Sequence, residues 1–146
     1  ADLAGWGIGG SKGQQGFILG FASTKHESSP TVVAQIVLDR EPSGEFVLRG
    51  SALGDGATRI EGGKSFGLRR DEPLTVLLEV DPAAGTYAVS CRDDGGEFAA
   101  LGEGKISPGR PIRFVRLGLP GNYAGSGNHF SLDRIVVTEN DPRGGG

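Results

Sequence analysis

Glu79 and Asp81, one residue apart, are the best acid pair in the chain, because side chains on an extended strand repeat every second residue and both project from one face. Hydrolysis of a glycosidic bond needs two carboxylates facing each other across that bond, one as acid and one as base or nucleophile. Pro82 follows at once and starts a turn, so the competing reading is the solvent-facing end of a strand. Gly5-Trp6-Gly7-Ile8-Gly9-Gly10 has the Gly-x-Gly-x-x-Gly spacing of a dinucleotide site. That spacing binds pyrophosphate only where a strand feeds a helix N-terminus, and no helix can be read after Gly10. Gly63-Lys64-Ser65 imitates the end of a phosphate loop, but Thr58 stands where the first glycine belongs. His26 and His129 form no His-x-x-x-His pair and Cys91 is alone, so zinc is not expected, whereas carboxylate and carbonyl oxygens would suit calcium. Cys91 continues the alternation of Tyr87 and Val89, which makes it a small core side chain rather than a nucleophile and leaves no intrachain disulfide.

Such residues need a frame, and 146 residues is the length of one domain with its own core. The 27 glycines have no three-residue period and lie mainly between short apolar runs, as turn residues do. With 15 basic and 18 acidic residues the net charge is -3, and no basic stripe marks a nucleic-acid partner. No apolar run approaches the roughly 20 residues that span a bilayer, so no membrane partner is expected either. The absence of methionine and the start at Ala1 fit a mature, exported product, secreted or at the cell surface.

Residues 31–39 are too rich in β-branched side chains for a good helix, and Glu41-Pro42-Ser43-Gly44 turns them into 45–49. In 74–81 the residues Leu74, Val76, Leu78 and Val80 share a face, and Asp81-Pro82-Ala83-Ala84-Gly85 leads into 86–92. Asp93-Asp94-Gly95-Gly96 is a third turn, before a strand near 97–101; apolar runs at 16–22, 111–117 and 129–138 complete the set. Eight or nine strands and no helical period define an all-β chain, a two-sheet antiparallel β-sandwich of the jelly-roll kind. Residues 5–16 and 118–128 are expected as loops, 1–140 as the single domain and 141–146 as a flexible linker.

The run Leu74 to Cys91, Leu-Thr-Val-Leu-Leu-Glu-Val-Asp-Pro-Ala-Ala-Gly-Thr-Tyr-Ala-Val-Ser-Cys, resembles the central hairpin of concanavalin A-like (laminin G-like) jelly rolls. Phe130 to Thr138 is similar to the closing strand of that superfamily and of galactose-binding-like carbohydrate modules. The resemblance implies a lectin-like domain attached to other domains of a secreted bacterial protein, binding a polysaccharide on a concave sheet face or at its loops. Its glucanase-like members carry Glu-x-Asp-x-x-Glu, but here Ala84 fills the third position. Gln35-Ile36 and Gly121-Asn122-Tyr123 resemble parts of alginate-lyase jelly rolls, with Arg49 on a neighbouring strand, but Val37 stands where that family has histidine. The resemblance also makes Asp133 the candidate ligand of a structural calcium, the one cofactor considered.

Sugar binding without catalysis asks only for an aromatic face and a few polar groups for the hydroxyls. Trp6 and Tyr123 are the aromatics set among glycine and polar residues. Gln35 and Arg49 fall opposite the core faces of their strands, and Arg116, Asn122 and His129 lie in or beside the 118–128 segment. Eleven arginines against four lysines supply planar forks suited to carboxylate or sulfate. A non-catalytic carbohydrate-binding module is therefore the leading expectation, with no catalytic residues assigned. A lyase or glycoside hydrolase of the same fold, and a structural or adhesive domain that binds no sugar, stand as alternatives.

Overall fold

The computed structural model describes residues 2–7, 15–24, 32–40, 46–60, 64–66, 74–93, 96–118 and 129–139, with side chains placed at 18–24, 32–38, 47–60, 74–92, 96–118 and 134–139. The described residues form ten strands and no helix: β1 (Asp2–Gly7), β2 (Gln15–Ala22), β3 (Val32–Arg40), β4 (Phe46–Ser51), β5 (Lys64–Phe66), β6 (Leu74–Asp81), β7 (Thr86–Asp93), β8 (Ala99–Lys105), β9 (Phe114–Gly118) and β10 (His129–Arg134). They make two antiparallel five-stranded sheets, ordered β10-β1-β6-β7-β8 and β5-β4-β3-β2-β9, called below the β6 sheet and the β3 sheet. β1 pairs with β10 and β2 with β9, so the two ends of the chain wrap together in jelly-roll fashion, while β2 to β5 and β6 to β8 run as meanders.

The β6–β7 hairpin follows the alternation. Leu74 and Val76 are buried, Leu78 and Val80 half-buried, and Glu79 and Asp81 exposed on the other face. Its turn is closed from Asp81, whose carboxylate accepts the Ala84 N–H at 3.0 Å and whose carbonyl accepts that of Gly85 at 2.9 Å. Gly85 has φ +70°, a conformation that glycine adopts without penalty. β3 and β4 pair from Gln35↔Ser51 to Arg40↔Phe46, the expected hairpin; its turn at 41–44 lies outside the described residues.

Between the sheets lie Leu19, Ile36, Leu38, Leu48, Leu74, Val76, Tyr87, Val89 and Cys91, so Cys91 is a core residue as its alternation predicts. The segment 52–60 closes one side of the sandwich by bonding to both sheets. The Ile60 N–H donates to the Gly50 carbonyl at 3.0 Å in the β3 sheet, and the Thr58 N–H to the Lys105 carbonyl at 2.9 Å in the β6 sheet. The Lys105 N–H returns a bond to Thr58 Oγ1 at 2.8 Å, and the Tyr87 hydroxyl donates to the Thr58 carbonyl at 2.7 Å. Tyr87 therefore buries a large ring without abandoning its polar tip. Gly104 stands opposite it in register, and a Cβ there would come within 2.5 Å of the ring.

Three expectations change. Gly5, Trp6 and Gly7 belong to β1 rather than to a loop; its register shifts on either side of Leu3 and Ala4 explain why no alternation announces it. Lys64, Ser65 and Phe66 form the short strand β5, where no strand was expected. The last strand stops at Arg134, four residues before Thr138, and leaves Ile135, Val136 and Val137 exposed. The expected loop 118–128 and linker 141–146 lie outside the described residues, except Gly118, which ends β9.

Candidate functional site

In β3, Ile36 and Leu38 point into the core, so Gln35 and Val37 project from the outer face of the β3 sheet. The ladders place Arg116, Gly20, Gln35 and Ser51 in one row across β9, β2, β3 and β4, and Gly118, Ile18, Val37 and Arg49 in the adjacent row. With strands about 4.8 Å apart, the first row spans about 14 Å of backbone. Three residues expected to meet a sugar, Gln35, Arg49 and Arg116, thus share one face because the hairpin registers align them.

That face is not a plain solvated surface. Ile18, Val37 and Val47 are buried on it, outside the main core cluster, so β3 is shielded on both sides. Gln35 sits in this apolar setting with 7% of its surface exposed. Its Nε2 donates to Ser51 Oγ at 3.1 Å, while its buried Oε1 has no hydrogen-bond partner among the described residues. An unsatisfied buried carbonyl costs about 1–3 kcal/mol, so Oε1 is a standing demand for a donor. Position 20 admits no side chain beside Gln35: a Cβ there would lie 2.4 Å from the Ala34 carbonyl oxygen and 2.6 Å from Gln35 Cβ. Arg49 and Arg116 are half-buried, and Arg49 is itself engaged.

The other candidates lie elsewhere. Trp6 is on β1 and His129 opens β10 opposite Gly7, both in the β6 sheet, so they do not join the Gln35 row. Asp133 is also on β10; its side chain, like those of Trp6 and His129, lies outside the described side chains. Asn122 and Tyr123 lie outside the described residues altogether. Among the described residues no three His, Cys, Asp or Glu side chains come together as a metal site. Glu79 and Asp81 do share a face, but Asp81 is occupied in closing its turn.

Two features escaped the sequence reading. Ser51 is Gln35's partner only through the β3–β4 register, which residue types alone do not fix. Phe98 is an exposed ring with the Arg92 guanidinium 4.6 Å from its centroid; a lone aromatic after a turn carries no distinguishing pattern. Fold and site together define an antiparallel two-sheet sandwich with a polar row set into an apolar outer face. No protein-family model, curated protein or solved structure matches the chain.

Proposed function

We propose that the chain is a non-catalytic carbohydrate-binding module, of the concanavalin A-like kind, that takes a polysaccharide at the outer face of the β3 sheet. The observation that carries this reading is the buried Gln35 Oε1, without a donor among the described residues, in one row with Ser51 and Arg116 and diagonal to Arg49. Sugars offer hydroxyl donors at spacings of a few ångströms, and guanidinium groups bind their ring oxygens and acidic substituents. In this reading the half-buried Arg116 and Arg49 meet the polysaccharide, and a water carries the bond from one of its hydroxyls to the buried Oε1. The same proposal places the parent protein outside the cell or on its surface, consistent with the resemblance in the β6–β7 hairpin. Calcium at Asp133 is an optional structural ion rather than part of the sugar contact.

Affinity electrophoresis of the full chain against neutral and anionic polysaccharides, with and without calcium, tests the proposal, each mixture being checked for reducing ends and unsaturated products. Retardation without products is the expected result. Products would replace the module by an enzyme, and silence across the panel would leave a structural domain. Gln35→Leu should abolish retardation while leaving stability within about 1 kcal/mol, since it removes an orphaned acceptor along with one hydrogen bond.

A further inference from the structure

Four of the arginines with described side chains are half-buried: Arg49, Arg92, Arg110 and Arg116. Three of them are occupied. Arg92 lies over the Phe98 ring, Arg110 donates to the Val32 and Leu53 carbonyls, and Arg49 is engaged as well. Arg116 makes no hydrogen bond or ion pair with any described residue. A guanidinium carries only donors, so Arg116 has lost part of its hydration without gaining an acceptor. Its covering is particular to one side of β9: the outward Phe114 and Arg116 are half-buried, while Val115 and Leu117, on the core-facing side, are exposed.

The surroundings define the acceptor that is wanted. Arg116 and Gln35 flank Gly20 in the ladder, about 10 Å apart across two strand spacings. Position 20 admits no side chain, so no side chain of the row stands between them. The row thus offers donors from Arg116 on β9 and the unfilled acceptor Gln35 Oε1 on β3. A matching ligand turns an acceptor group towards β9 and a hydroxyl towards β3.

Charge makes that acceptor an anion. Among the described side chains, the outer face of the β3 sheet carries Arg49 and Arg116 and no carboxylate. The outer face of the β6 sheet carries Glu79, Asp81 and Glu103 against Arg92 and Lys105. In a chain of net charge -3, the positive charge of the described β3 face runs against the whole. We infer that the polysaccharide of the sugar-binding reading, on which this inference rests, is an acidic one. Arg116 is the residue that selects it, its planar fork gripping a carboxylate or sulfate of a sugar unit beside Gly20. Arg49 adds charge to the face, but its existing engagement leaves the grip to Arg116.

Two matched pairs of polymers test this on the full chain by affinity electrophoresis: polygalacturonate against its fully methyl-esterified form, and dextran sulfate against dextran. Each pair keeps the backbone and removes the charge. Wild type should bind at least one acidic polymer about ten-fold more tightly than its neutral counterpart, and the pair that shows the difference identifies carboxylate or sulfate as the group. Arg116→Gln should erase that preference, and Arg116→Lys, which keeps the charge without the fork, should retain only part of it. Arg113→Gln removes the same charge from an exposed position nearby and should leave the preference intact. Equal binding within both pairs overturns the inference and leaves the module. A preference that survives Arg116→Gln, or that Arg113→Gln lowers as much, also overturns it, because general attraction would then suffice. No retardation by these four polymers overturns it whatever else retards the chain, and silence of the whole polysaccharide panel removes the module reading too.

Discussion

Removing the Tyr87 hydroxyl probes the seam that ties the two sheets together. Tyr87→Phe keeps the ring between Gly104 and the core but deletes the bond to the Thr58 carbonyl, which lies between the two backbone attachments of the 52–60 segment. A net hydrogen bond is worth about 1 kcal/mol, and leaving the carbonyl short of a partner raises the cost to about 1–3 kcal/mol. At about 2.1 cal/mol/K per residue of unfolding entropy, 146 residues convert this to a fall of about 3–10 °C in Tm. The pH dependence sharpens the test. Burial pushes the Tyr87 hydroxyl up from 10.0 to about 12, against the smaller opposing effects of a backbone hydrogen bond with Ile60 and the positive charge of Arg59. Because the folded form holds this proton more tightly than the unfolded chain, its contribution is full below pH 10 and is lost as pH rises from about 10 to about 12. That shift corresponds to roughly 3 kcal/mol at most. Urea unfolding of wild type and Tyr87→Phe, followed by the single tryptophan and by circular dichroism at pH 8, 10, 11 and 12, should show a difference that is largest at pH 8 and closes by pH 12. Equal stability at pH 8, or a constant difference across the range, would refute the assignment of that bond to the seam.

Gly104→Ala should destabilise the fold by about 1–3 kcal/mol, because its Cβ would press within 2.5 Å of the Tyr87 ring; thermal unfolding measures the loss, and Gly104→Ala in the Tyr87→Leu background should recover part of it. Arg110→Ala removes two bonds that one guanidinium nitrogen donates, to the Val32 carbonyl at 3.0 Å and the Leu53 carbonyl at 3.1 Å, tying the start of β3 to the loop after β4. A loss of about 1.5–3 kcal/mol in denaturant unfolding is expected.

The parts of the fold that were legible are those whose information is local. The β6–β7 hairpin carries its apolar alternation and its Asp81–Gly85 turn in eighteen consecutive residues, Leu74 to Cys91, and folds as they dictate. β1 was illegible because two register shifts break its alternation and small residues at Ala4, Gly5 and Gly7 leave no apolar stripe. The length of β10 was misjudged for a related reason: Ile135 to Val137 have every strand propensity, but a strand exists only where another backbone lies alongside, and the described β1–β10 ladder runs from Gly7↔His129 to Asp2↔Arg134.

The site divides in the same way. Alternation alone set Gln35 on the face away from Ile36, and the structure keeps it there. That the face is buried depends on Ile18 from β2 and Val47 from β4, delivered by registers no single segment encodes. This changes what Gln35 means. In a solvated strand an outward glutamine is ordinary, but in a strand shielded on both faces, amid Val32, Val33, Ile36, Val37 and Leu38, an apolar residue of similar volume would satisfy packing and remove an orphaned acceptor. Stability therefore gives no reason for an amide at this position, and the bond to Ser51 accounts for only its donor half. The acceptor half is explained when a donor arrives from outside the described fold, which is why the sugar-binding proposal rests on Gln35 rather than on the more conspicuous Trp6, Glu79 or Asp81.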